Sequence, residues 1–316
     1  GARVAVQVEK SPECLLLYLA TLRARLVYLP LNTAYQQSEI EYFLSDAQPD
    51  VVVCTPARRA EIEPLARRAK CRHLHTLGDA RDGTLLQAAA PHSDAFETRQ
   101  CAPDDLAAIL YTSGTTGRSK GAMLSHRNLA ANALTLDEFW GFAAERAAGR
   151  QDVLLHALPL FHVHGLFVAS HAALLAGART LLLPKFDAAQ VLERLPRSTV
   201  FMGVPTYYTR LLAEPTFDRA RCANMRLFIS GSAPLLAETH REFEQRTGHR
   251  ILERYGMSET VMLVSNPYLA AQGARIAGTV GLPLPGVDVR VVRDDGKACA
   301  AGEVGNVEVR GPNVFK

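Results

Sequence analysis

The sequence has six cysteines but no closely spaced pair, since the nearest two, Cys54 and Cys71, are 17 positions apart. A CxxC redox or zinc motif is therefore excluded, and scattered reduced thiols are typical of a cytoplasmic protein. The chain has 316 residues, a net charge of only +3 and no basic run, which argues against a nucleic-acid partner. With 48% hydrophobic residues and few long polar tracts, it is not a disordered chain either.

A membrane partner is not expected. Residues 153–178 contain no Asp, Glu, Lys or Arg, and a stretch of that length could cross a bilayer. The stretch nevertheless holds four histidines, a proline and two glycines, and it divides into a strand-like piece, a turn and a helix-like piece. No signal peptide is recognised at the start of the sequence.

Short apolar segments alternate with helix-like segments along most of the chain. This alternation predicts an α/β fold with parallel sheets covered by helices on both faces. The predicted strands are 4–8, 51–54, 153–158, 180–183, 199–204, 226–230 and 250–254. The predicted helices are 12–25, 165–176, 205–213 and one that opens at Pro234 and stops at the helix-capping Gly248.

The alternation of strand-like and helix-like segments ends after about residue 276. Residues 287–292 and 304–310, with a turn at 294–296, predict a β-hairpin or small barrel. We therefore divide the chain into a core of α/β subdomains at 1–275 and the start of a β-barrel-like portion at 276–316.

The strongest local signal is the segment from Tyr111 to Gly121, YTSGTTGRSKG, which follows the apolar run 106–110. Its glycines allow backbone N–H groups to converge on an anion, its hydroxyls add donors, and Lys120 adds a positive charge. That chemistry suits a triphosphate, although a Ser/Thr/Gly-rich surface loop is the plain alternative. A Walker A loop is disfavoured because Ser119 and Gly121 stand where that pattern needs glycine and Ser or Thr.

This loop resembles the phosphate-binding signature of the adenylate-forming superfamily of acyl-CoA synthetases. Four further blocks are similar to that superfamily and occur in the expected order: LPLFHVHG at 158–165, SGSAPL at 230–235, RYGMSET at 254–260, and the GEVG…VRGP stretch at 302–312. The departures within the blocks are small, since Ser119 replaces the usual proline and Ser258 replaces the usual threonine. The resemblance spans essentially the whole chain.

The resemblance implies ATP, Mg²⁺ and coenzyme A as cofactor, metal and co-substrate. It implies catalytic roles for Thr115, Lys120, His162 and Glu259, with Glu259 and Thr115 holding the metal. A solvated acid is the alternative for Glu259. The residues implied to bind the nucleotide are Thr112, Ser113, Gly114, Thr115, Thr116, Gly117, Lys120, Ser232, Ala233, Pro234, Glu253, Tyr255, Gly256, Met257 and Ser258.

Two arginines bear on the acid substrate. An arginine fork pairs with a carboxylate, and a dicarboxylate keeps one carboxylate that does not react. The segments 203–212 and 252–260 resemble malonyl-CoA synthetases, which implies that Arg210 and Arg254 grip that distal carboxylate. Val163 and Met262 match positions that would contact the carbon between the carboxylates. Alternatively, Arg210 caps its helix or pairs with Glu214, and Arg254 pairs with Glu253.

His162 and His164 form an HxH pattern that could lie on one strand face. A metal site there is conceivable, but the sequence supplies no third ligand, and lining of the acyl pocket is the favoured interpretation.

The sequence therefore predicts an AMP-forming acid–thiol ligase that converts malonate or methylmalonate, ATP and coenzyme A to the thioester, with small molecules as its partners. A ligase for a short-chain or aryl monocarboxylate and a non-catalytic nucleotide-binding piece are the alternatives. The superfamily's ribose-binding aspartate, hinge and C-terminal catalytic lysine are not found, so we expect the C-terminal lid domain to be absent and the 316 residues alone to be inactive.

Overall fold

A computed structural model describes residues 1–112 and 118–316. The chain forms two compact units. The first consists of Gly1–Arg127, Pro159–Leu166 and Phe315–Lys316, and the second of Asn128–Leu158 and Phe167–Val314. The division into 1–275 and 276–316 follows motif boundaries and stays a prediction.

The first unit is built on a six-stranded sheet with the order β4-β3-β1-β2-β5-β6. The pairs are parallel, except that β5 and β6 are antiparallel. Its elements are β1 (Arg3–Gln7), α1 (Pro12–Arg23), β2 (Val27–Pro30), α2 (Gln37–Ala47), β3 (Val51–Cys54), α3 (Arg59–Arg68), β4 (His73–Thr76), α4 (Thr84–Ala89), β5 (Leu106–Thr112) and β6 (Lys120–Ser125).

Local sequence explains how these elements begin. The side chain of Ser11 accepts a hydrogen bond from the Cys14 N–H, and Pro12 occupies the first turn, so α1 starts where the chain leaves β1. One face of the sheet carries Ala5, Leu29 and Val52, which are buried with the apolar faces of α2 and α3. Burial on both faces explains why these strands are short apolar runs rather than alternating patterns.

The second unit is built on a seven-stranded sheet with the order β13-β12-β11-β10-β9-β7-β8, in which β8 to β11 are parallel. A separate antiparallel pair, β14 and β15, follows. The elements are α5 (His126–Phe139), which starts in the first unit, α6 (Phe142–Ala147), β7 (Val153–His156), α7 (Ser170–Ala176), β8 (Arg179–Leu182), α8 (Ala188–Arg194), β9 (Val200–Gly203), α9 (Pro205–Leu212), β10 (Leu227–Ser230), α10 (Ala237–Thr247), β11 (Leu252–Tyr255), β12 (Val264–Ser265), β13 (Leu282–Pro283), β14 (Asp288–Val292) and β15 (Asn306–Arg310).

The predicted α/β class with helix-covered parallel sheets is confirmed, and so is the C-terminal hairpin. Gly248 ends α10 in the left-handed conformation with φ 78°, as predicted. The predicted start of that helix at Pro234 is wrong, because α10 begins at Ala237. The chain first turns through Ser232 at φ 71° and buries Leu235, so Pro234 belongs to the turn after β10.

The stretch 153–178, which carries no charge, folds as β7, a turn, a π-helical segment at His164–Ala169 and α7. Among the residues that the structure describes, no helix combines the length and apolar character needed to traverse a bilayer.

Candidate active site

The glycine-rich loop lies in the first unit and connects the two strands of a β-hairpin. Thr112 ends β5 and pairs with Lys120, which begins β6. The side chain of Lys120 is exposed. The loop therefore returns into a strand instead of opening a helix as a Walker A loop does. Five residues with expected phosphate or metal contacts lie outside the described residues: Ser113, Gly114, Thr115, Thr116 and Gly117.

The end of the loop next to β6 is held by Tyr42 of α2. The Tyr42 hydroxyl donates to the Ser119 carbonyl at 2.7 Å, and the Arg118 guanidinium lies 5.7 Å from the centroid of the Tyr42 ring. Sequence reasoning did not find Tyr42, because nothing in a helix sequence indicates which loop its outward residues contact.

The segment that we expect to line the acyl pocket carries His162 and Val163, and both residues belong to the first unit. The His162 ring packs against Phe161 with 4.7 Å between centroids, and partial burial lowers the pKa of its imidazole. Val163 is half-buried. The expectation that the HxH histidines share a strand face is wrong: His162 lies in a turn, and His164 starts the π-helical segment.

The two motifs that we expect to bind adenine and Mg²⁺, at 230–235 and 254–260, lie in the second unit. They follow the carboxyl ends of parallel strands, where ligands bind in such sheets. Ser230 at the end of β10 pairs with Gly203 of β9 and Glu253 of β11. The turn after β10 exposes Ser232, Ala233 and Pro234. Tyr255 ends β11 and is 39% exposed, which leaves its ring accessible for stacking.

Arg254 is the exceptional charged residue of this edge. It is 3% exposed, and its Nε and Nη2 have no hydrogen-bond partner within the described part of the chain. Burial lowers the pKa of its guanidinium to about 9, so it remains a cation at neutral pH. The alternative of pairing with Glu253 is wrong, since the Glu253 carboxylate instead accepts the Gly278 N–H at 3.3 Å.

A buried cation without an anion is costly, so an unpaired buried arginine at this edge of the sheet marks a candidate site for an anionic ligand. Tyr208 of α9 interacts electrostatically with Arg254 and is a buried phenol whose hydroxyl donates to the Ile229 carbonyl at 2.5 Å. Tyr208 is therefore committed to the backbone and does not supply an anion, because burial raises the pKa of its phenol.

Arg210 is placed differently from Arg254. It lies on the exposed side of α9, and its guanidinium is 5.1 Å from the centroid of the Phe186 ring. That ring stacks on Tyr207 with 3.9 Å between centroids. This stacking, rather than the alternative pairing with Glu214, holds the guanidinium, and its contact with substrate stays a prediction.

The turn between β11 and β12 carries Gly256, Met257, Ser258 and Glu259. A Cβ on Gly256 would overlap the Val261 carbonyl and lie 2.6 Å from Met262 Cε, so only glycine fits. Val261 has φ 56°, a left-handed conformation that strains a β-branched residue by about 1–3 kcal/mol. The turn thus stores strain two residues beyond Glu259, whose side chain is half-buried.

Two buried asparagines hold this strained turn. Asn313 donates to the carbonyls of Thr260 and Met262 at 2.7 and 3.0 Å, and Asn132 donates to the Met262 carbonyl at 2.9 Å. Met262 itself is fully buried. Neither asparagine had a sequence signal, because their partners lie 51 to 130 positions away.

The nucleotide role of Glu253 also stays a prediction. Its carboxyl group is buried, which raises its pKa, and Gly278 and Leu235 donate backbone hydrogen bonds to it. These contacts tie the turn after β10 and the segment near Gly278 to β11. Across the described parts of the chain, no group of three or more His, Cys, Asp or Glu side chains is arranged to hold a metal ion.

The whole chain, residues 1–316, matches the family described as AMP-binding enzyme. The chain belongs to the AMP-binding enzyme family. It is 35% identical to the malonate–CoA ligase of Arabidopsis thaliana over 338 aligned positions, which cover 100% of this chain and 54% of that protein. The chain therefore spans about half the length of this curated relative.

Solved structures of the family are similar in fold. ATP-bound MatB from Rhodopseudomonas palustris is 56% identical with a TM-score of 0.94, covering 100% of this chain and 61% of that one. A malonyl-CoA ligase ternary product complex with methylmalonyl-CoA and AMP is 34% identical with a TM-score of 0.80, covering 99% of this chain and 63% of that one.

Proposed function

We propose that the complete gene product containing these 316 residues is an AMP-forming acid–thiol ligase for malonate, with methylmalonate as a second substrate. The observation that carries this proposal is Arg254, a buried cation whose Nε and Nη2 have no hydrogen-bond partner among the described residues. Membership of the AMP-binding family supports acyl adenylation as the chemistry, and malonate–CoA ligases among the relatives support the acid.

The charge of Arg254 favours an acid with two anionic groups. A monocarboxylate brings only the carboxylate that reacts, which must remain accessible to the α-phosphate. A malonate ion brings a second carboxylate that can accept from Nε and Nη2 and end the electrostatic isolation of Arg254. Arg210, which is exposed, would contribute a weaker attraction, with Val163 and Met262 next to the carbon between the carboxylates.

The reaction has two balanced steps. A carboxylate oxygen of malonate attacks the α-phosphorus of ATP, the bond to the bridging oxygen breaks, and pyrophosphate leaves. The thiol sulfur of coenzyme A then attacks the acyl carbon, AMP leaves with the electron pair of the acyl–oxygen bond, and the thiol proton goes to solvent. Positioning and charge neutralisation dominate the first step, because it joins two anions.

The residues of the chain take separate roles in that step. The loop from Thr112 to Lys120 would hold the β- and γ-phosphates, while Tyr255 would stack on adenine beside the exposed turn 232–234. Glu259 and Thr115 would hold Mg²⁺, since hydroxyl and carboxylate oxygens are the ligands that this hard cation takes. The metal would neutralise phosphate charge. His162 would line the acyl segment as a neutral imidazole, in keeping with its lowered pKa.

The test is ATP–pyrophosphate exchange by the complete gene product with malonate, methylmalonate, acetate, butyrate and benzoate. We expect malonate to give the fastest exchange. Faster exchange with butyrate or benzoate than with malonate would favour the monocarboxylate ligase instead, and no exchange with any acid would favour a non-catalytic nucleotide-binding protein.

A further inference from the structure

Gly231 lies beside Arg254 where the neighbouring strands β10 and β11 end. Ser230 and Glu253 are register partners in the parallel strands β10 and β11, so the residues that follow them lie side by side. A Cβ built on Gly231 would lie 2.6 Å from Arg254 Nε and would overlap Cζ and Nη1 of the same side chain. The three atoms nearest to that Cβ all belong to the Arg254 guanidinium.

The backbone gives no other reason for glycine at this position. The φ angle of Gly231 lies outside the left-handed region, so an L-residue could adopt its conformation. Gly256 differs, because a Cβ there would meet the backbone at the Val261 carbonyl. At Gly231 the three nearest atoms belong instead to the far end of one side chain, which can move, but only out of its present position.

We propose that Gly231 is a positioning residue for acid selectivity. Because it has no side chain, the Arg254 guanidinium can occupy the space beside the end of β10. This inference rests on the proposed function, in which Arg254 meets the distal carboxylate of malonate. A methyl group at position 231 would leave the strands in place and displace the guanidinium. Selectivity between dicarboxylates and monocarboxylates would then be lost while nucleotide binding remained.

A double-mutant cycle on the complete gene product tests the proposal, with Gly231→Ala, Arg254→Ala and the double variant. The measurements are kcat/KM for malonate and for butyrate, KM for ATP, and Tm. We expect Gly231→Ala to lower malonate kcat/KM by roughly thirtyfold or more, as displacement of one partner of a buried charge pair does. In the Arg254→Ala background the same substitution should change it less than about threefold, because the clash has been removed.

Gly203→Ala is the matched control, at the end of the neighbouring strand. A Cβ there would contact Phe201 and Tyr207 at 3.2 Å and not Arg254. Its effect on malonate kcat/KM should therefore be the same in the wild-type and Arg254→Ala backgrounds. The KM for ATP should stay within about twofold in Gly231→Ala, because a displaced guanidinium does not alter nucleotide binding.

Several outcomes would overturn the role of Gly231. Equal losses from Gly231→Ala in both backgrounds would show that it acts without Arg254, and an unchanged malonate-to-butyrate ratio in Gly231→Ala would show no effect on selectivity. If Gly231→Ala alone does not fold, folding of the double variant supports the steric coupling, and failure of both contradicts it.

Failure of the proposed function is distinguishable from these outcomes. A wild-type protein that does not prefer malonate would remove the dicarboxylate assignment and the selectivity role with it. The Tm values would still report the contact itself: a drop in Tm from Gly231→Ala that disappears in the Arg254→Ala background supports the coupling, and additive drops contradict it.

Discussion

Arg226 and Arg254 are both withdrawn from solvent in the second unit, but their surroundings differ. The guanidinium of Arg226 forms a two-pronged pair with Asp152, at 2.8 and 2.6 Å, and donates to the Trp140 carbonyl at 3.0 Å. Burial alone would lower the pKa of Arg226, but the hydrogen bonds and charge of Asp152 raise it. Within residues 1–112 and 118–316 no carboxylate forms such a pair with Arg254, and burial lowers its pKa to about 9.

The difference separates an arginine that is paired within the fold from one that, on the proposed function, pairs with a carboxylate of the substrate. Arg226 also lies 4.7 Å from the Phe142 ring centroid, so every face of its guanidinium is used within the fold. Arg254 has the opposite character, because no described carboxylate pairs with its buried guanidinium and its Nε and Nη2 have no described hydrogen-bond partner. A carboxylate of the substrate would provide Arg254 with the negative charge and hydrogen-bond acceptors that Asp152 provides for Arg226.

The largest expected effect is on stability, from Asp152→Ala. The substitution leaves Arg226 buried without its carboxylate and should lower the free energy of unfolding by about 3–5 kcal/mol. Urea unfolding followed by circular dichroism measures this change. Asp288→Ala is the control, because its pair with Arg310 has side-chain exposures of 71% and 87%, and such surface pairs contribute about 0–1 kcal/mol. Equal losses from the two variants would contradict the contrast between buried and surface pairs.

The next effect is on activity, from Arg254→Ala. Losing the partner of the distal carboxylate should cost about 2–5 kcal/mol of transition-state stabilisation. Malonate kcat/KM should therefore fall by roughly thirtyfold or more. Butyrate activity should be unchanged or improved, since butyrate has no distal charge. The free energy of unfolding should fall by less than about 1 kcal/mol or rise, because an unpaired buried charge is removed. Parallel losses for malonate and butyrate would point to a damaged fold instead.

Malonate itself should reproduce the pairing seen at Arg226. At one hundred times its Kd, a ligand that binds only the folded state adds about 2.7 kcal/mol of stability. Differential scanning calorimetry of the wild-type protein should therefore show a higher Tm with malonate. The same malonate concentration should raise the Tm of Arg254→Ala much less, and equal rises in both proteins would argue against Arg254 as the carboxylate partner.

The smallest effect is expected from Arg210→Ala. The guanidinium is exposed, and an ion pair between an exposed arginine and a carboxylate contributes about 0–1 kcal/mol. Malonate kcat/KM should therefore fall by less than about fivefold, which steady-state kinetics resolves. A loss as large as that of Arg254→Ala would mean that Arg210 moves to the acid when substrate binds.

Much of the site could be predicted from the sequence, because its motifs are contiguous. The order of the five blocks indicated the superfamily, and the apolar runs predicted strands that end at Ser230 and at Arg254, one residue before the observed end at Tyr255. The start of α10 was missed, because Pro234 is favourable both in a first helical turn and in a turn before one. The buried leucine at 235 and the left-handed Ser232 decided between the two.

By itself the sequence determined the α/β class and the family, and it singled out Arg210 and Arg254 as candidate residues, because these depend on local periodicity and short motifs. Only the tertiary structure decided that Arg254 is buried with no partner for its Nε and Nη2 among the residues the structure describes, that Arg210 is exposed, and that Gly231 provides the space between neighbouring strands. Asn132 and Asn313 likewise hold the turn beyond Glu259 from distant parts of the sequence. Burial and pairing depend on which strands become neighbours, and that is a property of long-range packing rather than of any short segment.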